Sequence, residues 1–285
     1  MSFPFLRTKY LLWDSTEGQQ GLCDRLRGMA CGMALAKRLG LRLRYRWETN
    51  EECPANWDEL FAAPVGLTFD ESSTRRLTNG AARIECPANI PPYTFWNWLR
   101  QTGWAGAFRS FEDFSSLWRA SIRSMRPVKR TATAVNQLVR QSAGRPLVGI
   151  HLRRTEMLDA DHSPVNRENV AAYDAALWDE VIRIANEHRA VCFFLAADDE
   201  GYFIRWTERL HRLGLPLVAP NKQWGKAFRQ TGMHDALTDL WLLGRCREVL
   251  GSMPSGFLKI SEALGAPHRI IAPGSGSFAR SGTRL

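Results

Sequence analysis

The sequence predicts an α/β protein of two halves, each built on a parallel sheet, and three observations carry that expectation. Strand-like and helix-like stretches alternate from residue 147 to residue 272. A strand, a glycine-containing loop, a helix and a second strand open the chain, the βαβ order that parallel sheets require. The 285 residues, 45% hydrophobic and 24% charged, are enough for two cores without disulfide or metal staples.

Each element has its own justification. Residues 9–13 read as a strand, followed by the loop Gly18-Gln-Gln-Gly21-Leu-Cys-Asp24. A helix over 22–39 follows from apolar Leu26, Met29, Ala30, Met33 and Ala36 at a period near 3.6, with Gly40 as terminator. Within it, Gly28 and Gly32 are spaced for close packing on a strand. Leu41-Arg-Leu-Arg-Tyr-Arg-Trp47 alternates apolar and basic residues, as a strand with one solvated face does. Residues 53–106 read as irregular and rich in aromatics, among them Tyr93, Phe95, Trp96, Trp98 and Trp104. Such rings either fill a core or, with neighbouring amides, line a sugar site. A helix over 111–125 follows from Phe111, Phe114, Trp118, Ile122 and Met125, with Arg119, Arg123, Arg126 and Arg130 on another face. The break Ser142-Ala-Gly-Arg-Pro146 is the expected boundary between domains 1–144 and 145–285. Beyond it, strands at 147–152, 191–195, 216–219, 248–251 and 269–272 alternate with helices at 170–187, 200–213, 234–245 and 255–264.

The net charge of +9 is unevenly placed: residues 1–144 carry 20 Lys and Arg against 13 Asp and Glu. A basic half favours an anionic partner, an acidic glycan, a nucleotide or an anionic membrane surface touched peripherally. No zinc-finger or RNA-binding signature accompanies the charge, so nucleic acid is not expected. Six cysteines without CxxC pairs read as free thiols in a reducing compartment. No charge-free run approaches the ~18 residues of a membrane span. The first residues lack a secretion signal, so the expected location is the cytoplasm, at most peripheral to the inner membrane.

Chemistry concentrates at Gly149-Ile-His-Leu-Arg-Arg-Thr-Glu156. Two arginines directly after a buried strand lie where a parallel sheet presents ligand groups. Arginine offers a rigid fork of donors that fits phosphate oxygens, and it stabilises the charge that grows on a leaving pyrophosphate. Asp159-Ala-Asp161 has the Asp-X-Asp form of a metal–nucleotide motif, but the arginines already supply positive charge, so no metal is expected. The histidines show no ligand spacing either.

These residues resemble the GDP-fucose-dependent fucosyltransferases: the α1,6-fucosyltransferases, the rhizobial Nod-factor enzyme and the protein O-fucosyltransferases. His151-Leu-Arg153-Arg154-Thr-Glu is similar to the family's His-X-Arg-Arg-X-Asp motif, and Phe193-Phe-Leu-Ala-Ala-Asp198-Asp199 to its strand ending in paired aspartates. Asp235 to Ser255 resembles the acidic helix, strand and serine turn that close the donor site, and residues 18–28 resemble the N-terminal glycine loop. The resemblance implies a GT-B-type enzyme, two Rossmann-like domains facing a cleft, the second holding the nucleotide sugar and the first a glycan or lipid-linked glycan acceptor.

It also implies roles. Arg153 stabilises the leaving GDP with Arg154 assisting or orienting it, and His151 and Asp239 recognise guanine. Ser255 binds phosphate at a helix start, and Gly21 lets the first loop approach the diphosphate. Asp198 and Asp199 face the ribose or sugar, or else cap a helix. Asp161 is the expected base for the acceptor hydroxyl, with Glu156 and Asp159 as competitors. The implied reaction is inverting, metal-independent transfer of fucose from GDP-fucose in bacterial polysaccharide biosynthesis, with no cofactor. Another GDP-sugar on the same scaffold, or a non-catalytic nucleotide- or glycan-binding protein, fits the same residues. Cys23 in place of the loop's second glycine, Glu156 in place of Asp, and Ser252-Met-Pro-Ser255 in place of a serine-rich turn depart from the family pattern.

Overall fold

The structure is a computed structural model that describes residues 10–14, 21–62, 67–69, 81–85, 91–154, 167–225 and 231–273. The chain divides into two compact units, residues 1–128 and 129–285.

In the first unit, strands β1 (Tyr10–Asp14), β2 (Arg42–Arg46), β3 (Leu67–Phe69) and β4 (Ala81–Glu85) pair in parallel in the order β3-β2-β1-β4. Helix α1 (Leu22–Leu39) covers the face carrying Leu11, Trp13, Leu43 and Tyr45. Gly40 ends α1 in the left-handed conformation (φ 68°), where a side chain would strain the backbone. Gly32 is required for a different reason. A Cβ there would lie 2.9 Å from Trp13 Cε3 and 3.2 Å from a Leu43 methyl, so α1 sits close on the sheet only because this position is bare.

The stretch read as irregular holds more structure than expected: α2 (Trp57–Leu60), β3, β4, α3 (Pro92–Gln101) and a 3-10 turn at Trp104–Ala107. The prolines that suggested a break instead start α3, because the first turn has no use for the missing N–H. Phe95 of α3 and Phe114 of α4 (Phe111–Ser124) are fully buried, their rings 5.6 Å apart and Phe95 5.3 Å from Trp13. These inner aromatics fill a core. Tyr93, Trp96, Trp98 and Trp104 keep exposed edges around it.

The second unit starts earlier than the 142–146 break. Helix α5 (Lys129–Gln141) packs its Val135 and Leu138 into the same core as Leu147, Phe194, Val218 and Leu242. The break is therefore a turn inside this unit, with Ala143 and Gly144 at positive φ. Strands β5 (Leu147–Leu152), β6 (Cys192–Ala197), β7 (Leu217–Val218), β8 (Glu248–Gly251) and β9 (His268–Ile270) are all parallel, in the order β7-β6-β5-β8-β9.

Both faces of this sheet are covered, which explains why β5 and β6 read as continuous apolar runs. Val148, Ile150 and Leu152 face α6 (Arg167–Glu187) and α7 (Glu200–Arg212). Leu147, Gly149 and His151 face the opposite side, with α5, α8 (Met233–Leu243) and α9 (Gly256–Leu264). The winding runs outward from β5 in both directions, so the chain reverses its progress between β5 and β8. That is the point where a doubly wound sheet opens a crevice for ligands at its carboxyl edge. Among the described residues, no helix is long and apolar enough to cross a membrane.

Candidate active site at the carboxyl edge of the second sheet

Of the residues expected in the second unit, those that the structure describes lie around this carboxyl edge. His151 is the penultimate residue of β5, and Arg153 and Arg154 follow the strand directly. Asp198 and Asp199 follow β6, and Ser252 follows β8. Ser255 caps α9, and Asp239 lies on α8. Gly21 belongs to the first unit, where it stands at the N-cap of α1 with ordinary extended backbone (φ −72°, ψ 172°). Asp161, Glu156 and Asp159 lie outside the described residues.

His151 is 6% exposed, and neither ring nitrogen has a hydrogen-bond partner among the described residues. Its ring stacks on Phe257, centroids 5.3 Å apart and planes within 7°. Burial, with the charges of Arg153, Arg154 and Lys222 behind it, pushes the imidazole down to about 3. It is therefore neutral at physiological pH, one nitrogen a donor and the other an acceptor. Two unsatisfied buried nitrogens cost about 1–3 kcal/mol each, a cost that a polar ligand removes.

The two arginines differ. Arg153 is partly exposed, at the strand's end. Arg154 has no exposed surface at all. Its guanidinium is paired with Asp174 of α6, and Nη1 donates to Ser252 Oγ at 2.8 Å and to the Arg153 carbonyl at 3.1 Å. Its backbone N–H donates to Asp198 Oδ1 at 2.7 Å, and its charge lies 5.2 Å from the centre of the Tyr202 ring. In this arrangement Arg154 offers a diphosphate no accessible surface.

Asp198 is thus committed to the arginine loop, while Asp199 caps α7 by accepting from the Tyr202 N–H at 2.8 Å. Asp239 is buried and paired with Lys222, whose Nζ also donates to the Ala197 carbonyl at 3.1 Å. Its second oxygen, Oδ1, has no hydrogen-bond partner among the described residues. Burial raises the carboxyl to about 6 against the pull of Lys222. Ser255 Oγ accepts from the Leu258 N–H at 3.2 Å, so an anion at this helix start would meet backbone N–H groups of the first turn rather than a free hydroxyl.

Lys222 went unread in the sequence. It sits in a short loop, Asn221-Lys-Gln-Trp224, with no spacing that distinguishes it from a solvated lysine. Its burial between Phe203, Trp224 and Asp239 is what singles it out. Asp174 and Phe257 were likewise unremarkable helix residues by sequence. Among the described residues, no three His, Cys, Asp or Glu side chains gather as a metal-binding group.

No protein-family model matches the chain, and no curated protein sequence does. Solved structures do. The fucosyltransferase NodZ from Bradyrhizobium aligns with a TM-score of 0.57 at 17% identity, over 91% of this chain and 94% of that one. FUT1 of Arabidopsis thaliana, in complex with GDP, aligns with a TM-score of 0.58 at 14% identity, over 92% of this chain and 70% of the other. POFUT1 in complex with GDP-fucose gives 0.52 at 14% identity, over 93% and 98%. Likeness at this level of identity establishes architecture, and the chain has the fold of these fucosyltransferases.

Proposed function

We propose that the protein is a glycosyltransferase that moves fucose from GDP-fucose to a hydroxyl of a glycan or glycoconjugate, with inversion and without a metal. The observation that carries this reading is the reversal point of the second sheet. There a buried, neutral His151, its ring nitrogens without hydrogen-bond partners among the described residues, stands beside Arg153, in a chain folded like proteins solved with GDP and GDP-fucose.

In the proposed reaction the bond between fucose C1 and the β-phosphate oxygen breaks, and its electron pair leaves with GDP. Arg153 and the N–H groups at the start of α9 meet the charge that develops there. The acceptor oxygen bonds C1 from the opposite face, and its proton passes to a carboxylate, assigned by position in the sequence to Asp161. Asp239, a carboxylate acceptor, recognises the N1–H and 2-amino donors of guanine while Lys222 holds one of its oxygens; Oδ1 is buried, so guanine reaches it only as the side chains around it shift. The first unit, with its partly exposed Tyr93, Trp96 and Trp98, takes the acceptor.

Calorimetric titration in EDTA with GDP-fucose, GDP-mannose and UDP-glucose tests the reading. GDP-fucose is expected to bind at least about tenfold more tightly than UDP-glucose, a gap of about 1.4 kcal/mol. Preference for GDP-mannose would keep the fold and donor site but change the sugar. Equal binding of UDP-glucose, or binding only with added divalent metal, would contradict the proposal.

A further inference from the structure

Among the described residues, Arg154 is held from at least four places. Asp174, two turns into α6, pairs with its guanidinium, Ser252 accepts from Nη1 across the β5–β8 reversal point, and Asp198 accepts from its backbone N–H. The fourth hold is the Arg153 carbonyl, which accepts from the same Nη1 at 3.1 Å. A fully buried guanidinium is tolerated only while its charge is compensated, and among these partners Asp174 is the one bound to it as a carboxylate. Removing that charge takes a directly bound carboxylate from a fully buried cation, and the guanidinium then shifts or draws in water to make up the lost interaction. Either movement releases the Arg153 carbonyl and the Ser252 bridge together.

We propose that Asp174 is a positioning residue for the donor diphosphate: through Arg154 it fixes the backbone of Arg153, and with it the place where the Arg153 guanidinium meets the β-phosphate. This rests on the donor-site reading above. It adds a residue that lies on a helix beyond the arginine motif and that offers its carboxylate to Arg154 rather than to the ligand. The bridge from Arg154 to Ser252 further ties the two strands that border the crevice, so the same carboxylate governs how those edges are held.

The test compares GDP with GMP, which lacks the β-phosphate, by calorimetry on the wild type, Asp174→Asn and Asp174→Glu, with melting temperatures measured alongside. In Asp174→Asn the GDP Kd is expected to rise about tenfold, as for a weakened charge-assisted hydrogen bond, while the GMP Kd changes less than about twofold. Asp174→Glu, which keeps the charge, is expected to recover most of the preference for GDP. Ser252→Ala, a milder cut in the same network, decides the matter where Asp174→Asn does not fold. It is expected to narrow the preference about threefold. A folded Asp174→Asn that keeps the wild-type preference, or loses GDP and GMP equally, would overturn the proposal, as would an unchanged preference in Ser252→Ala. A wild type with no preference for GDP over GMP would instead remove the donor-site reading itself.

Discussion

Residues 10–128 and 129–273 wind their first four strands in the same order, yet they place different side chains around those strands. In the first unit the interior is a layer of rings, Trp13, Phe95, Phe114 and Trp118, with Arg25 as the one buried charge among the described residues. In the second, the carboxyl edge buries His151, Arg154, Lys222 and Asp239, with Arg154 paired to Asp174 and Lys222 to Asp239. Aromatic rings bury a large apolar area and stabilise the unit that holds them. Buried charges stabilise much less and are tolerated through mutual pairing, while a buried imidazole without hydrogen-bond partners among the described residues costs stability. The difference teaches that the shared winding is a scaffold, and that chemistry is identified by where polar groups are buried at a cost.

That comparison can be broken most forcefully in the aromatic unit. Phe95→Ala removes a fully buried ring in contact with Trp13, Trp98 and Phe114, and is expected to cost about 3–5 kcal/mol of stability in denaturant titration. GDP affinity of the folded variant should stay within about twofold of wild type. A large loss of affinity would mean that the aromatic layer, not the polar edge of the second sheet, forms the donor site.

A smaller and sharper effect concerns pH. Because His151 falls from 6.5 to about 3 on folding, the unfolded chain takes up its proton first, and stability is lost as pH drops through that window. Asp239 acts in the opposite sense: its carboxyl rises from 3.8 to about 6, so the folded chain holds the proton there and stability from this group falls as pH rises through that window. His151→Gln removes only the first contribution. The stability difference between wild type and His151→Gln is expected to change by about 1.4 kcal/mol per pH unit between about pH 6 and 4, read from urea titrations. Parallel curves for the two proteins would show that His151 is solvated or charged in the folded state.

Much of this was legible from the residues alone. Apolar runs separated by helical periods gave β5, β6 and β8 nearly to the residue, and an arginine pair after such a run lands at a strand's carboxyl edge by topology. Helix α3 was hidden because its rings favour strands as readily as helices and because Pro91-Pro92 reads as a break until a helix is known to start there. Helix α5 was hidden because its buried face is only Thr131, Val135 and Leu138, too narrow a stripe to register as a period. Within the site, the different fates of Arg153 and Arg154 are invisible in sequence, since adjacent arginines are chemically identical until Asp174 and Ser252 are brought to one of them. Lys222 carries no local pattern at all, and only three-dimensional burial reveals it.

The central claim, that the reversal point of the second sheet binds the diphosphate of a guanine nucleotide through Arg153, is tested most directly by titrating wild type and Arg153→Ala with GDP and with UDP. GDP is expected to bind the wild type more tightly than UDP, and Arg153→Ala to lose about 10- to 100-fold in GDP affinity while its melting temperature is retained. Unchanged GDP affinity in a folded Arg153→Ala, or equal affinity of the wild type for GDP and UDP, would contradict it.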